Sequence, residues 1–257
     1  MTAFAQMSGA QMATVAALQS VEVAYGRGPA LGPFSLRLEL GEIVALVGPS
    51  GCGKSTALRL LAGLEAPTRG EVLRTAGPGE TSVVFQAPTL MPWATGLDNV
   101  ALPLELAGVP RPQARERAAA ALAWVKLKGA EDAKPAQLSG GMAMRASLAR
   151  ALVTGPRLLL LDEPFAALDE ITRRDLAADI HRLWAAAKPA IVFVTHNVEE
   201  AVFMASRVLV MTPGPGRLQA EMRVDAPLPR PQGFRVSSLF REAVEQVSAA
   251  LAEGMTA

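Results

Sequence analysis

The sequence predicts an α/β fold, and three observations carry that prediction. An apolar, β-branched run over residues 41–47 leads through a glycine-rich turn into a helical pattern over 54–64. Two continuously apolar runs, LLLL at 158–161 and AIVFVT at 190–195, have the look of parallel strands buried on both faces. A helix over 171–187 lies between those runs, so strands and helices alternate along the chain.

Taken in order, the first residues carry little structure-forming signal. They are rich in Ala, Gln and Met and contain no Lys or Arg, so residues 1–17 are expected to form a flexible leader, not a secretory signal. Alternation predicts strands over 18–25 and 35–40, and a further short strand over 82–85. Pro88 and Pro92 punctuate the loop that follows. An Ala-rich segment with alternating Arg and Glu predicts a solvated helix over 112–127, and Ser139 opens another through 152. A Pro/Gly turn stands at 213–216, and a tail over 218–257 is expected to carry a helix at 237–252.

Composition narrows the function classes. The chain has 257 residues, half of them hydrophobic, which is enough for a well-buried core. Its formal net charge is +1, with basic residues scattered, so a nucleic-acid partner is not expected. The lone cysteine, Cys52, excludes an internal disulfide framework. No run of about 18 uncharged apolar residues is present, so no membrane-spanning helix is expected.

Three motifs carry chemistry. Gly48, Pro49, Ser50, Gly51, Cys52, Gly53, Lys54 and Ser55 fit G-x-x-x-x-G-K-[ST], the phosphate-binding loop. Glycines let the backbone approach phosphates closely, and the following helix, over 54–64 with Thr56 in its phosphate-facing first turn, adds the positive end of its dipole. Lys54 can place a charge on the β- and γ-phosphates of ATP, and Ser55 a hydroxyl on Mg²⁺. A G-x-G-x-x-G reading fails because Thr56 stands where glycine is required. Asp162 and Glu163 end an apolar run, where Asp162 can reach the Mg²⁺ shell and Glu163 can polarise a water. Leu138, Ser139, Gly140, Gly141 and Met142 open a helix, giving a second anion site with Ser139 as cap. Two chains set head to tail would let each Ser139 segment complete the other's Lys54 site.

The phosphate loop, LSGGM and LLLLDEP in this order resemble the ATP-binding subunits of ABC transporters, over residues 18–217 or so. The resemblance implies a RecA-like P-loop NTPase core with a small antiparallel β region and an inserted helical subdomain at about 87–155. It implies an ATP-sandwiching homodimer acting with integral-membrane permease subunits at the cytoplasmic face of the inner membrane. It also implies that Tyr25 stacks on adenine and that Gln86 contacts Mg²⁺ and water. By the same resemblance Asp169 belongs to a loop crossing the dimer interface, and His196 touches the γ-phosphate. His181, in a helix, is expected to be solvated.

Residues 89–104, Met142 and PGPGR at 213–217 are similar to the group importing nitrate, sulfonates, taurine and pyrimidine-like compounds. That group receives its solute from a periplasmic or lipid-anchored binding protein. The chain departs from it at Ala143-Met144-Arg145, where a more basic run is usual, and in the short stretch from Gly70 to Val83. A soluble ABC ATPase without a transport role is the competing class. The single ATPase unit and the proline-flanked Trp93 favour transport.

Overall fold

The computed structural model describes residues 13–256 except 27, 78 and 167. Its centre is a six-stranded sheet in the order β5 (Thr81–Val84), β6 (Leu158–Asp162), β7 (Ala190–Thr195), β3 (Ile43–Val47), β8 (Arg207–Met211) and β9 (Leu218–Arg223). The first five strands are parallel and β9 closes the edge antiparallel to β8. All residues of β3 and β7 are buried, which explains their unbroken apolar character.

Alternate residues of these strands feed two cores. Ile43, Ala45, Leu159, Leu161, Ile191 and Phe193 pack with residues of helices α2 to α7, whose bounds are given below. Val44, Leu46, Leu158, Leu160, Val192 and Val194 pack with α1 (Lys54–Ala62) and a second sheet. That sheet is antiparallel, in the order β2 (Gly28–Glu39), β1 (Thr14–Tyr25), β4 (Arg69–Arg74). Between β5 and β6 the chain forms α2 (Gly96–Leu106), α3 (Arg111–Trp124) and α4 (Gly140–Leu152). Then α5 (Glu170–Ala187) precedes β7, α6 (Val198–Met204) precedes β8, and α7 (Ser238–Thr256) ends the described chain.

The helical segment α2–α4 is tied to the rest by a buried charge cluster. The Asp179 side chain on α5 is 1% exposed, accepts from Arg145 of α4 and from Arg182, and lies 3.3 Å from Lys126 Nζ. Arg145 also donates to Val125 O at 3.3 Å, just beyond α3. A buried carboxylate demands such pairing, since leaving it alone would cost several kcal/mol.

Three expectations are corrected here. Thr14–Ala17 are not leader but the start of β1, where Ala16 pairs with both Leu38 and Arg74. Residues 1–12 of the expected leader lie outside the described residues. The tail does not begin at 218, because Leu218–Arg223 is a strand of the main sheet and α7 packs on the core through Phe240 and Val247. His181 is not solvated. It is 3% exposed, stacks on Phe203 at 5.3 Å, and its Nε2 lies 3.1 Å from Met204 O. Ala177 and Trp184, one turn away on either side, are buried on the same face of α5, so the helical period puts His181 inward.

Burial lowers the His181 pKa to about 4, and the nearby Arg230 and Arg235 charges push the same way. The unfolded chain, with an imidazole near 6.5, takes up this proton first, so stability falls as pH drops through that window. Wild-type protein should lose about 2 kcal/mol more than His181→Asn between about pH 7 and about pH 5 in urea titrations. Equal losses would show that His181 does not titrate on unfolding.

Candidate functional site

Four neighbouring strands, in the order β5, β6, β7, β3, point their carboxyl ends to one edge of the sheet, and each is followed by a residue singled out in the sequence. Loops at that edge are where open α/β sheets bind ligands. After β3 the chain turns through Gly48–Gly53 into α1, whose cap is Gly53 at φ 97°. A Cβ there would stand 2.7 Å from Ala30 O of β2, so both the conformation and the space require glycine. The first turn of α1 has no capping side chain and no acidic residue, leaving its N–H groups open to an anion.

Lys54 is 6% exposed, and its ammonium donates to Gly48 O and Pro49 O, both at 2.8 Å. The next side chain, Ser55, donates to Asp162 Oδ1 at 2.9 Å, joining α1 to the end of β6. Burial raises the Asp162 carboxyl above its ordinary range, against the hydrogen bond from Ser55. Glu163 follows with φ 46°, a left-handed backbone that non-glycine residues seldom adopt. That turn takes the chain out of the sheet, held by Glu163 N donating to Val194 O at 3.1 Å. Gln86 Nε2 then donates to Glu163 Oε2 at 3.2 Å, and His196 Nδ1 lies 3.7 Å from the same oxygen. Gln86 and His196 therefore converge on one carboxylate from β5 and β7.

Among the described residues no group of three or more His, Cys, Asp or Glu side chains could hold a metal by itself. The oxygens present suit Mg²⁺ all the same. A hard ion that keeps several waters needs only one or two protein oxygens beside substrate phosphates, and Ser55 and Asp162 supply a neighbouring pair.

The other predicted residues lie apart from this group. Ser139 caps α4 by accepting from Met142 N at 3.3 Å. With Gly140, Gly141, Met142, Leu168, Asp169 and Thr172 it lines a separate cavity of about 440 Å³ that contains no phosphate-loop residue. Asp169 caps α5 through Thr172 N, and Ala167 lies outside the described residues. Tyr25, at the end of β1, is half exposed, and its hydroxyl donates to Glu65.

Sequence reasoning missed two supports of the site. Gly216 accepts from Gly32 N at 3.0 Å, and a Cβ on it would overlap Cys52 O at 1.8 Å, so this glycine braces the phosphate loop from behind. Thr195 donates to the buried carboxylate of Glu200 on α6, a partner four residues past His196 that no motif marks.

A phosphate loop between a central strand and a helix, with paired carboxylates at the end of β6, one strand removed across β7, defines a P-loop nucleotide hydrolase. Residues 31–166 match the ABC transporter family, and the chain belongs to that family as an ATP-binding, ATP-hydrolysing subunit. It is 46% identical over 221 residues to an aliphatic sulfonates import ATP-binding protein of a Mycobacterium strain, covering 86% of this chain and 88% of that one. It is 46% identical over 200 residues to a taurine import ATP-binding protein of Chromobacterium violaceum, covering 76% and 77%. A solved dimeric ATP-binding cassette in a post-hydrolysis state, bound to ADP and Pi, is 30% identical with a TM-score of 0.72. That likeness covers 83% of this chain and 100% of that one.

Proposed function

We propose that this ATPase energises import of a small sulfonate, nitrate, taurine or pyrimidine-like solute through separate permease subunits. It works as a head-to-tail homodimer on the cytoplasmic face of the membrane, and a separate binding protein delivers the solute. The names of the taurine and aliphatic sulfonates relatives support the solute class, and the dimeric cassette supports the pairing. Among the described residues no helix is long and apolar enough to cross a membrane.

The roles follow from position. The loop from Gly48 to Gly53 wraps the phosphates, Thr56 continues the helix start beneath them, and Lys54 neutralises charge on the β- and γ-oxygens. Ser55, Asp162 and Gln86 would hold Mg²⁺, which offsets phosphate charge when bound. Glu163 orients the attacking water and receives its proton, with its carboxylate held by the hydrogen bond from Gln86 and His196 close by. His196, 65% exposed at its side chain, is free to reach a γ-phosphate. Tyr25 offers its half-exposed ring to adenine. The partner's segment from Leu138 to Met142 closes the site from the other side, and Asp169 stands at the interface between the two.

The observation that carries the transport reading is Trp93, which is 73% exposed on a loop held rigid beneath it. Asn99, fully buried, accepts from Met91 N at 2.7 Å and donates to Met91 O, Ala94 O and Thr95 O. Arg150 of α4 donates to Thr89 O at 2.8 Å and Pro88 O at 3.0 Å. Leu90 packs on the core while Trp93 stands out, so the indole is presented rather than stored. An exposed Trp on a fixed loop is the form of an interface hot spot. This loop starts two residues past Gln86, so a permease helix seated on it can bear on the catalytic end of β5.

Two experiments test these assignments. Glu163→Gln should lower kcat by about 10²–10⁴-fold while ATP stays bound and a closed dimer accumulates on gel filtration. Wild-type turnover in that variant would remove Glu163 from the chemistry. Trp93→Ala should keep the melting temperature and ATP affinity of the isolated subunit and lose its recovery with permease in membranes. An unfolded variant whose surviving fraction assembles normally would make Trp93 a structural residue.

A further inference from the structure

Among the described residues no hydrogen bond fixes the His196 side chain directly, but the residues on both sides of it are tightly held. Thr195 Oγ1 donates to Glu200 Oε2 at 2.5 Å and accepts from Asn197 N at 3.0 Å. The Asn197 side chain in turn accepts from Glu200 N at 3.1 Å. Glu200 is therefore bound at both its carboxylate and its backbone to the two neighbours of His196. Its second oxygen, Oε1, lies 3.3 Å from Arg173 Nε, an ion pair in which Nε makes no hydrogen bond of its own. The same guanidinium donates through Nη2 to Leu168 O at 3.2 Å, in the loop that carries Asp169. Leu168 also lines the cavity of Ser139, Gly141 and Asp169.

From this chain of contacts we propose that Arg173 and Glu200 are positioning residues that couple the loop at Leu168–Asp169 to the placement of His196. The inference rests on the reading of His196 and Asp169 given above. A partner chain that presses on Leu168 moves the acceptor of Arg173 Nη2. Arg173 then shifts against Glu200, and Glu200 carries the Thr195–Asn197 bracket with it. His196 stands 3.7 Å from Glu163 Oε2, so a displacement of under an ångström decides whether the imidazole supports that carboxylate. Burying an ion pair gains little net stability, so the geometry it enforces is the stronger reason for its presence. The planar fork of arginine is needed, because one group must meet a carboxylate and a carbonyl at once.

The test uses the full chain. Glu200→Gln and Arg173→Lys should each lower kcat by about ten- to a hundredfold, with KM for ATP within about twofold of wild type. In a Glu163→Gln background both should still form the ATP-bound dimer, which separates placement of His196 from assembly. Because the two act in one chain of contacts, the double variant should fall no further than the worse single variant. The Arg173→Lys variant keeps the charge beside Glu200, so it reports even if Glu200→Gln does not fold. The coupling is overturned if each folded single variant turns over ATP within about twofold of wild type, or if the double loss equals the product of the single losses. His196→Ala measured alongside distinguishes the two levels. Wild-type turnover there removes the reading of His196 itself and the coupling with it. A dead His196→Ala beside active Glu200→Gln and Arg173→Lys overturns the coupling alone.

Discussion

Lys54 carries a positive charge on a side chain 6% exposed, and its near partners are the carbonyls of Gly48 and Pro49. Among the described residues no carboxylate lies within ion-pair distance of it. Burying a charge in that way is costly unless something completes the pairing. The open N–H groups at the start of α1 suit the same kind of partner, a polyanion. Much of the surrounding architecture serves to hold this buried ammonium in place. β3 sits in the interior of the sheet, Gly53 presses on β2, and Gly216 closes the back of the loop.

The same constraint explains why the carboxylates are kept nearby but not against the lysine. Asp162 is drawn to Ser55 and Glu163 is swung out by its left-handed backbone to meet Gln86 and His196. A direct ion pair with Lys54 would satisfy the charge and close the site to phosphate. The cost of a strained residue at Glu163, about 1–3 kcal/mol, is of the kind tolerated where chemistry requires it. Ser139 and its glycines form an anion-facing helix start on a separate cavity of the same chain. The half-site that we propose for the partner's nucleotide therefore lies apart from the residues around Lys54.

The parts of the fold legible in the sequence were those whose signals are local. β3, the phosphate loop, α1, β6 and β7 follow from apolar runs bounded by glycine or acidic residues, and the Ser139 cap from one side chain before a helix. Strands β4 and β9 were not legible. Their sequences, RGEVLR and LQAEMR, have no buried residue and carry charges among few apolar ones, so only their partners in the sheet make them strands. Thr14–Ala17 read as leader because alanine carries little strand propensity, whereas pairing on both edges decides their conformation. Helix α2 was hidden by Pro103 in its interior. In the site, the motif residues were readable one by one, but their convergence on Glu163 Oε2 was not, because it depends on the sheet order. Glu200 gave no motif signal, and Gly216 was legible only as part of a Pro/Gly turn; the tertiary contacts alone reveal what each supports.

If the two half-sites belong to opposite chains, a mixed dimer separates this account from any arrangement within one chain. One protomer carries Ser139→Arg and the other Lys54→Ala, both in a Glu163→Gln background so that bound ATP is retained. Head-to-tail pairing leaves a single intact site, made by Lys54 of the first chain and Ser139 of the second. The predicted result is one occluded nucleotide per mixed dimer and none in either homodimer. No occluded nucleotide in the mixed dimer, with both chains folded and paired, would contradict it.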